Sequence, residues 1–188
     1  MKLHPTCFAP EQRGSIMEYY CIMVMTGEEK KYKAAVEETA KEKFPDAKFY
    51  FFERKLYTPK RGWFIGKVFP SYIFFSVERL TPEFFTILKS QKGFCRILSD
   101  NQNPTRIQGS SLEELKIFIR NGGLWGVSKI VFLPGQKIKA VSGPLVGLEG
   151  NIVRVNKKSK QITVAANVAS MSMRFDLKFE EAEKVEEV

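Results

Sequence analysis

The chain has 188 residues, 44% of them hydrophobic and 27% charged, which allows one sizeable core or two small ones and is too polar for a membrane protein. Its 30 Lys and Arg outnumber its 21 Asp and Glu, which gives a net charge of +9. This charge favours nucleic acid, or a protein complex assembled on nucleic acid, as the class of partner. The charge alone is equally consistent with a role in solubility. The three cysteines are odd in number and far apart and there is one histidine, so we expect no disulfide framework, no metal, no other cofactor and a reducing, cytoplasmic setting.

The first 17 residues are predicted to be a disordered extension. Residues 1–15 contain two prolines and no continuous apolar run, which is typical neither of a signal peptide nor of a transmembrane helix. Because Met17 directly precedes the first predicted strand, the extension could also result from a start codon placed too far upstream.

A strand, a helix and a second strand are predicted next. Residues 19–25 form an apolar run with aromatic and β-branched side chains, typical of a buried strand. Thr26 and Glu29 have the spacing of a capping box, which predicts a helix that begins there, buries one face and ends at Pro45. Residues 48–58 then alternate in the manner of a strand.

A basic turn leads into the strongest strand of the chain. Residues 58–62 (TPKRG) predict the turn, and Trp63, Ile65 and Val68 predict a returning strand. Residues 72–77 (YIFFSV) are aromatic and β-branched almost throughout.

Two further helices complete the first domain. Thr81 as cap and Pro82 in the first turn predict a short helix to about Ser90, and residues 94–98 predict another strand. Ser111 and Glu114 have the spacing of a second capping box, before a helix that stops at residues 121–123. Residues 18–121 are therefore predicted as an α+β domain, an antiparallel sheet with flanking helices.

The pattern changes after a predicted linker at residues 122–128. Residues 129–184 have no amphipathic helix pattern, and glycines separate short β-branched runs. Residues 151–155 and 161–165 flank a cationic turn, which predicts a hairpin within a small all-β barrel. Residues 127–179 hold nine Lys or Arg against two acidic residues, so the barrel is strongly basic.

Several segments of the chain resemble the NusG family of transcription factors. VFPSYIFF at residues 68–75 is similar to a segment of that family's N-terminal, NGN, domain. FLPGQKI at 132–138, SGPL at 142–145, GLEGNIV at 147–153 and FEEAEK at 179–184 are similar to its C-terminal KOW domain, an SH3-like barrel. The resemblance covers nearly the whole chain after Met17, and the order of the two parts makes it more specific than either part alone.

The resemblance implies that the first domain docks on the clamp helices of RNA polymerase through an apolar cavity. The matching residues are Phe69, Pro70, Tyr72 and Phe74. Tyr72 and Phe74 are two apart in a strand and so should share a face, and aromatic side chains are typical anchors of a protein interface. Without the resemblance, each aromatic is more simply a core residue, since the chain has 16 Phe.

Exposed cations are the candidate contacts to nucleic acid, since phosphates attract them regardless of base sequence. In the first domain they surround the basic turn and could meet upstream DNA: Lys55, Lys60, Arg61 and Lys67. In the barrel they are Lys137, Lys139, Arg154, Lys157, Lys158, Lys160 and Arg174. A run of charge is also typical of an ordinary solvated face.

Within the family, the resemblance favours a specialised paralogue, LoaP-like or RfaH-like, that promotes processive antitermination on selected operons. Leu145 stands where the general pattern has an aromatic residue, and the dense cations at residues 157–160 favour nascent RNA as the ligand of the barrel. A general NusG factor, whose KOW domain binds a termination factor or a ribosomal protein, remains the alternative. The glycines and Pro144 argue against a barrel that converts to helix.

Other classes of protein fit less well. No nucleophile with a base and no phosphate-binding loop occurs, so we expect no enzyme. A ribosome-associated KOW protein that binds RNA would be equally basic and non-catalytic, and it is the main alternative of a different class. No helix-turn-helix pattern supports a DNA-binding repressor. The sequence has no heptad repeat, so we expect a monomer.

Overall fold

The computed structural model describes residues 17–98 and 104–182, which form α helices and three β sheets. The predicted extension therefore lies outside the described residues, apart from Met17. The helices are α1 (Glu29–Ala40), α2 (Pro82–Ser90) and α3 (Gly109–Arg120). The strands before α3 are β1 (Glu18–Val24), β2 (Lys48–Tyr50), β3 (Glu53–Thr58), β4 (Gly62–Lys67), β5 (Tyr72–Val77) and β6 (Phe94–Ile97). Those after it are β7 (Leu124–Trp125), β8 (Ser128–Phe132), β9 (Ile138–Ser142), β10 (Ile152–Asn156), β11 (Gln161–Val168) and β12 (Met171–Glu181).

The N-terminal sheet has the order β2-β5-β1-β6, with β5 antiparallel to both β1 and β2. Side chains alternate across it, so β5 buries Ile73 and Phe75 on one face and Phe74 on the other. Helices α1 and α2 pack on the first of these faces, where the Tyr32 hydroxyl of α1 donates a hydrogen bond to the Leu88 carbonyl of α2 over 2.8 Å. The second face is left for other parts of the chain.

A smaller sheet has the order β4-β3-β7. Strands β3 and β4 form the hairpin that the basic turn predicted, here called the β3–β4 hairpin. Strand β7 runs parallel to β3 and lies inside residues 122–128, the predicted linker, where Trp125 is buried with its indole N–H donating to the Gly122 carbonyl over 2.8 Å. That segment is packed against the hairpin rather than free.

The C-terminal sheet has the order β10-β11-β12-β8-β9, antiparallel except where β12 runs parallel to β8. The predicted hairpin is present as β10 and β11. A two-residue turn, Ala169-Ser170, joins β11 to β12, and both residues have positive φ, 53° and 62°. Between residues 134 and 151 the only helical pieces are short 3-10 turns, at Pro134–Gln136 and Glu149–Asn151.

Both predicted capping boxes are wrong, because the side chains have distant partners. The Thr26 hydroxyl lies 2.6 Å from the Ser71 hydroxyl and does not cap α1. Ser111 lies inside α3 and donates to the Asn167 carbonyl of β11 over 3.0 Å. At α2 the prediction is confirmed, since the Thr81 hydroxyl accepts from the Phe84 amide over 3.2 Å.

Two element boundaries also differ from the sequence-based prediction. Helix α1 ends at Ala40, before Pro45. The strand predicted over residues 48–58 is interrupted at Phe51 and Phe52, because one ring packs in each of two separate cores.

Candidate functional site

The face of the N-terminal sheet opposite α1 and α2 carries the predicted docking residues. Tyr72 and Phe74 pack in the same cluster, together with Cys21 of β1 opposite Phe74, as the alternation along a strand requires. Phe69 lies just before β5 with its ring 5.2 Å from that of Phe74, measured between centroids. The structure thus brings the predicted residues together.

Their accessibility differs widely. Phe69 and Phe74 are buried, with exposed fractions of 1% and 0%. Tyr72 is half-buried and Pro70 is exposed. Of the four side chains, Tyr72 and Pro70 are therefore open to a partner in this arrangement of the chain.

An aromatic cluster explains why Phe69 is buried, and it joins the N-terminal part of the chain to the C-terminal sheet. We call it the interface cluster: Phe52, Phe69, Phe118, Trp125 and Phe175. The Phe175 ring of β12 lies 6.1 Å from Phe69, 6.1 Å from Phe118 and 5.7 Å from Trp125, between centroids. The C-terminal sheet therefore covers part of the candidate docking face.

Hydrogen bonds from α3 flank the interface cluster. The Glu114 carboxylate accepts from the Asn151 amide side chain over 2.6 Å and from the Asn167 backbone N–H over 3.0 Å. Asn121 donates to the Pro144 carbonyl over 3.2 Å. Burial raises the pKa of the Glu114 carboxyl, although its bond from the Asn167 amide opposes the shift. The helix predicted to close the first domain is thus also the helix that holds the C-terminal sheet.

Arg54 of β3 adds a cation to the same contact. Its guanidinium lies 5.6 Å from the centroid of the Phe175 ring, and its Nη1 donates to the Lys67 carbonyl over 2.9 Å. Its Nε is buried without a hydrogen-bond partner among the described residues. Burial lowers the pKa of Arg54, and nearby Asp176 opposes that shift. A buried N–H donor without a hydrogen-bond partner costs free energy, so the Arg54 contact with Phe175 stabilises the structure less than it would if the Arg54 Nε were hydrogen-bonded.

Lys67, one of the predicted contacts to nucleic acid, is half-buried and forms an ion pair with a buried carboxylate. Its ammonium lies 2.7 and 2.8 Å from the two oxygens of Glu29, which is 1% exposed. The Glu29 carboxylate also accepts from the backbone N–H groups of Ser71 and Gly27, each over 2.9 Å. Burial alone would raise the pKa of Glu29, but the bonds from Lys67 and Ser71 outweigh it and leave the pKa below its ordinary value. Lys67 therefore has a structural role in this arrangement.

The other predicted cations of the N-terminal part lie at or near the tip of the β3–β4 hairpin. Lys55, Lys60 and Arg61 are exposed, and the Arg61 guanidinium lies 4.5 Å from the centroid of the Phe64 ring. They form no ion pair with a carboxylate in the part of the chain that the structure describes. Their charge is free to attract an anion.

The predicted cations of the C-terminal sheet are all exposed: Lys137, Lys139, Arg154, Lys157, Lys158, Lys160 and Arg174. Lys158 and Lys160 lie in the turn between β10 and β11 and share a cavity with the β3–β4 hairpin. Lys157 instead lies over the Phe132 ring, 4.2 Å from its centroid. The structure thus brings two cations of this set next to the basic hairpin.

Sequence reasoning missed the residues of the interface cluster other than Phe69. Trp125 lies in the predicted linker and Phe175 in the predicted barrel, and both are buried where the two parts of the chain meet. Because large aromatic side chains are rarely left in solvent, their residue type weakly predicts that they are buried. Nothing local in the sequence indicates which residues they contact.

Within residues 17–98 and 104–182, no group of three His, Cys, Asp or Glu side chains is placed to hold a metal ion. No helix in the same ranges is long and apolar enough to cross a membrane.

Comparison with known proteins adds independent information. The family model described as transcription termination factor nusG matches residues 17–116. The Pseudomonas aeruginosa transcription termination/antitermination protein NusG is 23% identical over 119 residues, covering 63% of this chain and 67% of that protein. A solved structure of domain interaction in Thermotoga maritima NusG covers 87% of this chain and 94% of that one, with a TM-score of 0.56 and 18% identity, which shows a similar fold.

Proposed function

Because the chain belongs to the NusG family of transcription termination and antitermination factors, we propose that it binds RNA polymerase and promotes processive antitermination of selected operons. RNA polymerase as the partner and the lack of enzymatic activity are part of this proposal, and membership of a family of transcription termination and antitermination factors supports both. The observation that carries the proposal for this chain is the aromatic face around Tyr72 and Phe74, opposite α1 and α2. Helix α3 packs on this face at Phe69 through Phe118, whereas Tyr72 stays half-buried and Pro70 exposed.

The proposed docking site on this face is formed by Phe69, Pro70, Tyr72 and Phe74, and its partner is the clamp helices of the polymerase. Aromatic side chains in a shaped apolar surface supply most of the affinity of such an interface. Since Phe175 of the C-terminal sheet packs on Phe69, docking over the whole face requires that sheet to move away. Polymerase then has to bind the uncovered arrangement more tightly than the covered one.

We divide the chain accordingly into an NGN domain at residues 18–121, a connecting segment at 122–128 and a KOW domain with an SH3-like barrel at 129–184. Trp125 of the connecting segment is buried, and β7 is paired with β3 of the β3–β4 hairpin. When the two domains separate, this segment therefore either detaches from the hairpin with the KOW domain or remains paired with the hairpin. We expect the protein to act as a monomer, since the interface cluster is satisfied within one chain.

The KOW domain is proposed to bind nascent RNA. Support comes from its exposed cations, which lack carboxylate partners among the described residues. Upstream DNA is the proposed partner of Lys55, Lys60 and Arg61 on the β3–β4 hairpin. If the chain is instead a general NusG factor, the KOW domain binds a ribosomal protein or a termination factor rather than RNA. If the chain is instead a ribosome-associated RNA-binding protein, it does not bind polymerase.

The proposal is tested by retention of purified RNA polymerase core enzyme and of ribosomes on the immobilised full chain. We expect wild type to retain polymerase and Tyr72→Ala to lose most of it. Tyr57→Ala is the matched control, because Tyr57 is 41% exposed on the β3–β4 hairpin and lies away from the docking face. Retention of ribosomes but not of polymerase would favour the ribosome-associated function over the proposed one. Equal retention of polymerase by Tyr72→Ala and wild type would show that polymerase does not dock on the face around Tyr72.

A further inference from the structure

We propose that a cavity between the β3–β4 hairpin and the turn joining β10 to β11 binds an unpaired nucleotide of a single-stranded nucleic acid. The inference deepens the nucleic-acid-binding role proposed above and rests on it. The cavity has a volume of about 580 Å³ and is partly open to solvent. That size suits a small aromatic ligand with a charged group attached.

One wall of the cavity is aromatic. Tyr57 of β3 and Trp63 of β4 lie directly opposite one another in the hairpin, with ring centroids 5.5 Å apart and planes inclined by 57°. Trp63 is 58% exposed and Tyr57 41% exposed, so both rings have a free face. A nucleobase can stack on such a face whatever its identity, because every base has a π surface.

The other wall is cationic. Lys158, Lys160 and Lys178 line it, and Glu180 is the one acidic residue among the lining side chains. Lys178 is 8% exposed, donates to the Ser159 carbonyl, and has its ammonium 5.7 Å from the centroid of the Tyr57 ring. It forms no ion pair with a carboxylate of residues 17–98 or 104–182.

The Lys178 ammonium has the Ser159 carbonyl and the Tyr57 ring beside it, and a phosphate oxygen in the cavity would supply the anionic partner that the described residues do not. Burial, followed by the nearby charge of Lys160, lowers the pKa of Lys178, which is the direction expected for a cation that lacks an anionic partner.

A second unsatisfied group lies in the same place. The Ser159 hydroxyl oxygen is buried and has no hydrogen-bond partner among the described residues. Buried hydroxyls are nearly always paired, and Ser159 is one of the residues that line the cavity. A hydroxyl can donate to a phosphate or accept from a base, so an aromatic base with an attached phosphate would satisfy each wall of the cavity at once.

The cavity exists only while the hairpin and the C-terminal sheet are in contact, because each supplies part of its lining. A ligand that binds only there stabilises the arrangement in which Phe175 covers Phe69. Nucleotide binding in the cavity and polymerase docking on the aromatic face should therefore oppose one another.

The test is a fluorescence titration of the full chain, without polymerase, with a short oligouridylate, the matching oligothymidylate and uridine monophosphate. Of the two tryptophans, Trp125 is 1% exposed and gives a constant background, whereas Trp63 should be quenched by a stacked base. We expect Trp63→Ala, followed by anisotropy of labelled oligonucleotide, to weaken binding about tenfold or more. Lys158→Gln should weaken it and reduce the salt dependence by about one phosphate contact.

Two matched variants separate the cavity from general attraction. Ile65→Ala changes a side chain that is 52% exposed on the same side of β4 and lies outside the cavity lining. Lys92→Gln removes the same charge from an exposed site just after α2, which belongs to no proposed binding surface. Both should bind as wild type does.

The three probes identify the source of the nucleotide: tighter binding of one oligomer selects RNA or DNA, and equal binding of the monophosphate selects a free nucleotide. Unchanged affinity in Trp63→Ala, an equal loss in Lys92→Gln and Lys158→Gln, or no binding of any probe would each overturn the inference. Polymerase retention is measured separately, so loss of the cavity proposal leaves the Tyr72 experiment standing.

Discussion

Replacing Phe175 by alanine should uncover the candidate docking face. The side chain is 2% exposed and contacts Phe69, Phe118 and Trp125 across the two parts of the chain. A buried phenylalanine cut to alanine costs about 3–5 kcal/mol. Val164 lies opposite Phe175 within the C-terminal sheet, so we assign about half of this cost, about 2 kcal/mol, to the contact between the two parts.

At 1.4 kcal/mol per tenfold change, a loss of about 2 kcal/mol shifts the balance between covered and uncovered arrangements by roughly 30-fold. Trp125 reports this shift, because opening removes Phe175 from beside its indole. The assay is acrylamide quenching and emission wavelength in a Trp63→Phe background, which leaves Trp125 as the single tryptophan. We expect stronger quenching and a shift to longer wavelength.

Phe132→Ala is the matched control. Phe132 lies on β8 of the same sheet, and its ring contacts are Phe179 and Lys157, both within that sheet. It should leave Trp125 buried. If Phe175→Ala keeps the far-ultraviolet circular dichroism of wild type and Trp125 is quenched no more than in Phe132→Ala, then Phe175 does not hold the two parts together, and the reasoning is refuted.

Three further predictions concern stability. Gly143→Ala should lower Tm by several degrees in a thermal melt, because the added Cβ would lie 2.7 Å from the Ser128 Cα at a position with φ of 87°; an unchanged Tm would contradict this. Ser170→Gly should raise the unfolding free energy by about 1 kcal/mol in urea titration, since a side chain at φ 62° is strained, and a lower value would count against strain in that turn. The pKa of Glu29 is lowered in the folded chain, so its ion pair with Lys67 stabilises above the ordinary value of 4.5 and that contribution is lost as the pH falls through the folded value. Urea titrations over this range should show a steeper loss of stability for wild type than for Glu29→Gln, and parallel curves would contradict the ion pair.

Local features of the sequence predicted most strands and α2 correctly. The short helix after Thr81 was placed within its observed limits because its cap, its proline and its ending all lie within the same ten or so residues. The shared face of Tyr72 and Phe74 followed from the period of a strand and is confirmed. Rules based on neighbouring residues were therefore correct where no residue distant in the chain competed for the same side chain.

The failures have one physical cause. Thr26 and Ser111 looked like helix caps, but their hydroxyls lie against groups 45 and 56 residues away in the chain. Glu114 likewise binds Asn151 and Asn167 instead of the start of its own helix. A short polar side chain takes whichever partner the fold brings to it, and a single sequence does not reveal that partner.

The same limit applies to the candidate site. The candidate docking residues could be proposed from the sequence, but no feature of the sequence indicates that Phe175 packs on Phe69. Trp63 could be placed on a returning strand beside a basic turn, whereas the cavity that it shares with Lys178 depends on contact between strands far apart in the chain. Contacts within one element are predictable from spacing, and contacts between domains are not.

The most direct test of the account is the affinity of RNA polymerase core enzyme for the full chain carrying Phe175→Ala, measured beside wild type and Phe132→Ala. If polymerase docks on the face that the C-terminal sheet covers, Phe175→Ala binds more tightly than wild type, Phe132→Ala does not, and adding Tyr72→Ala removes the gain. Equal or weaker binding by a folded Phe175→Ala variant whose Trp125 is exposed would contradict the account.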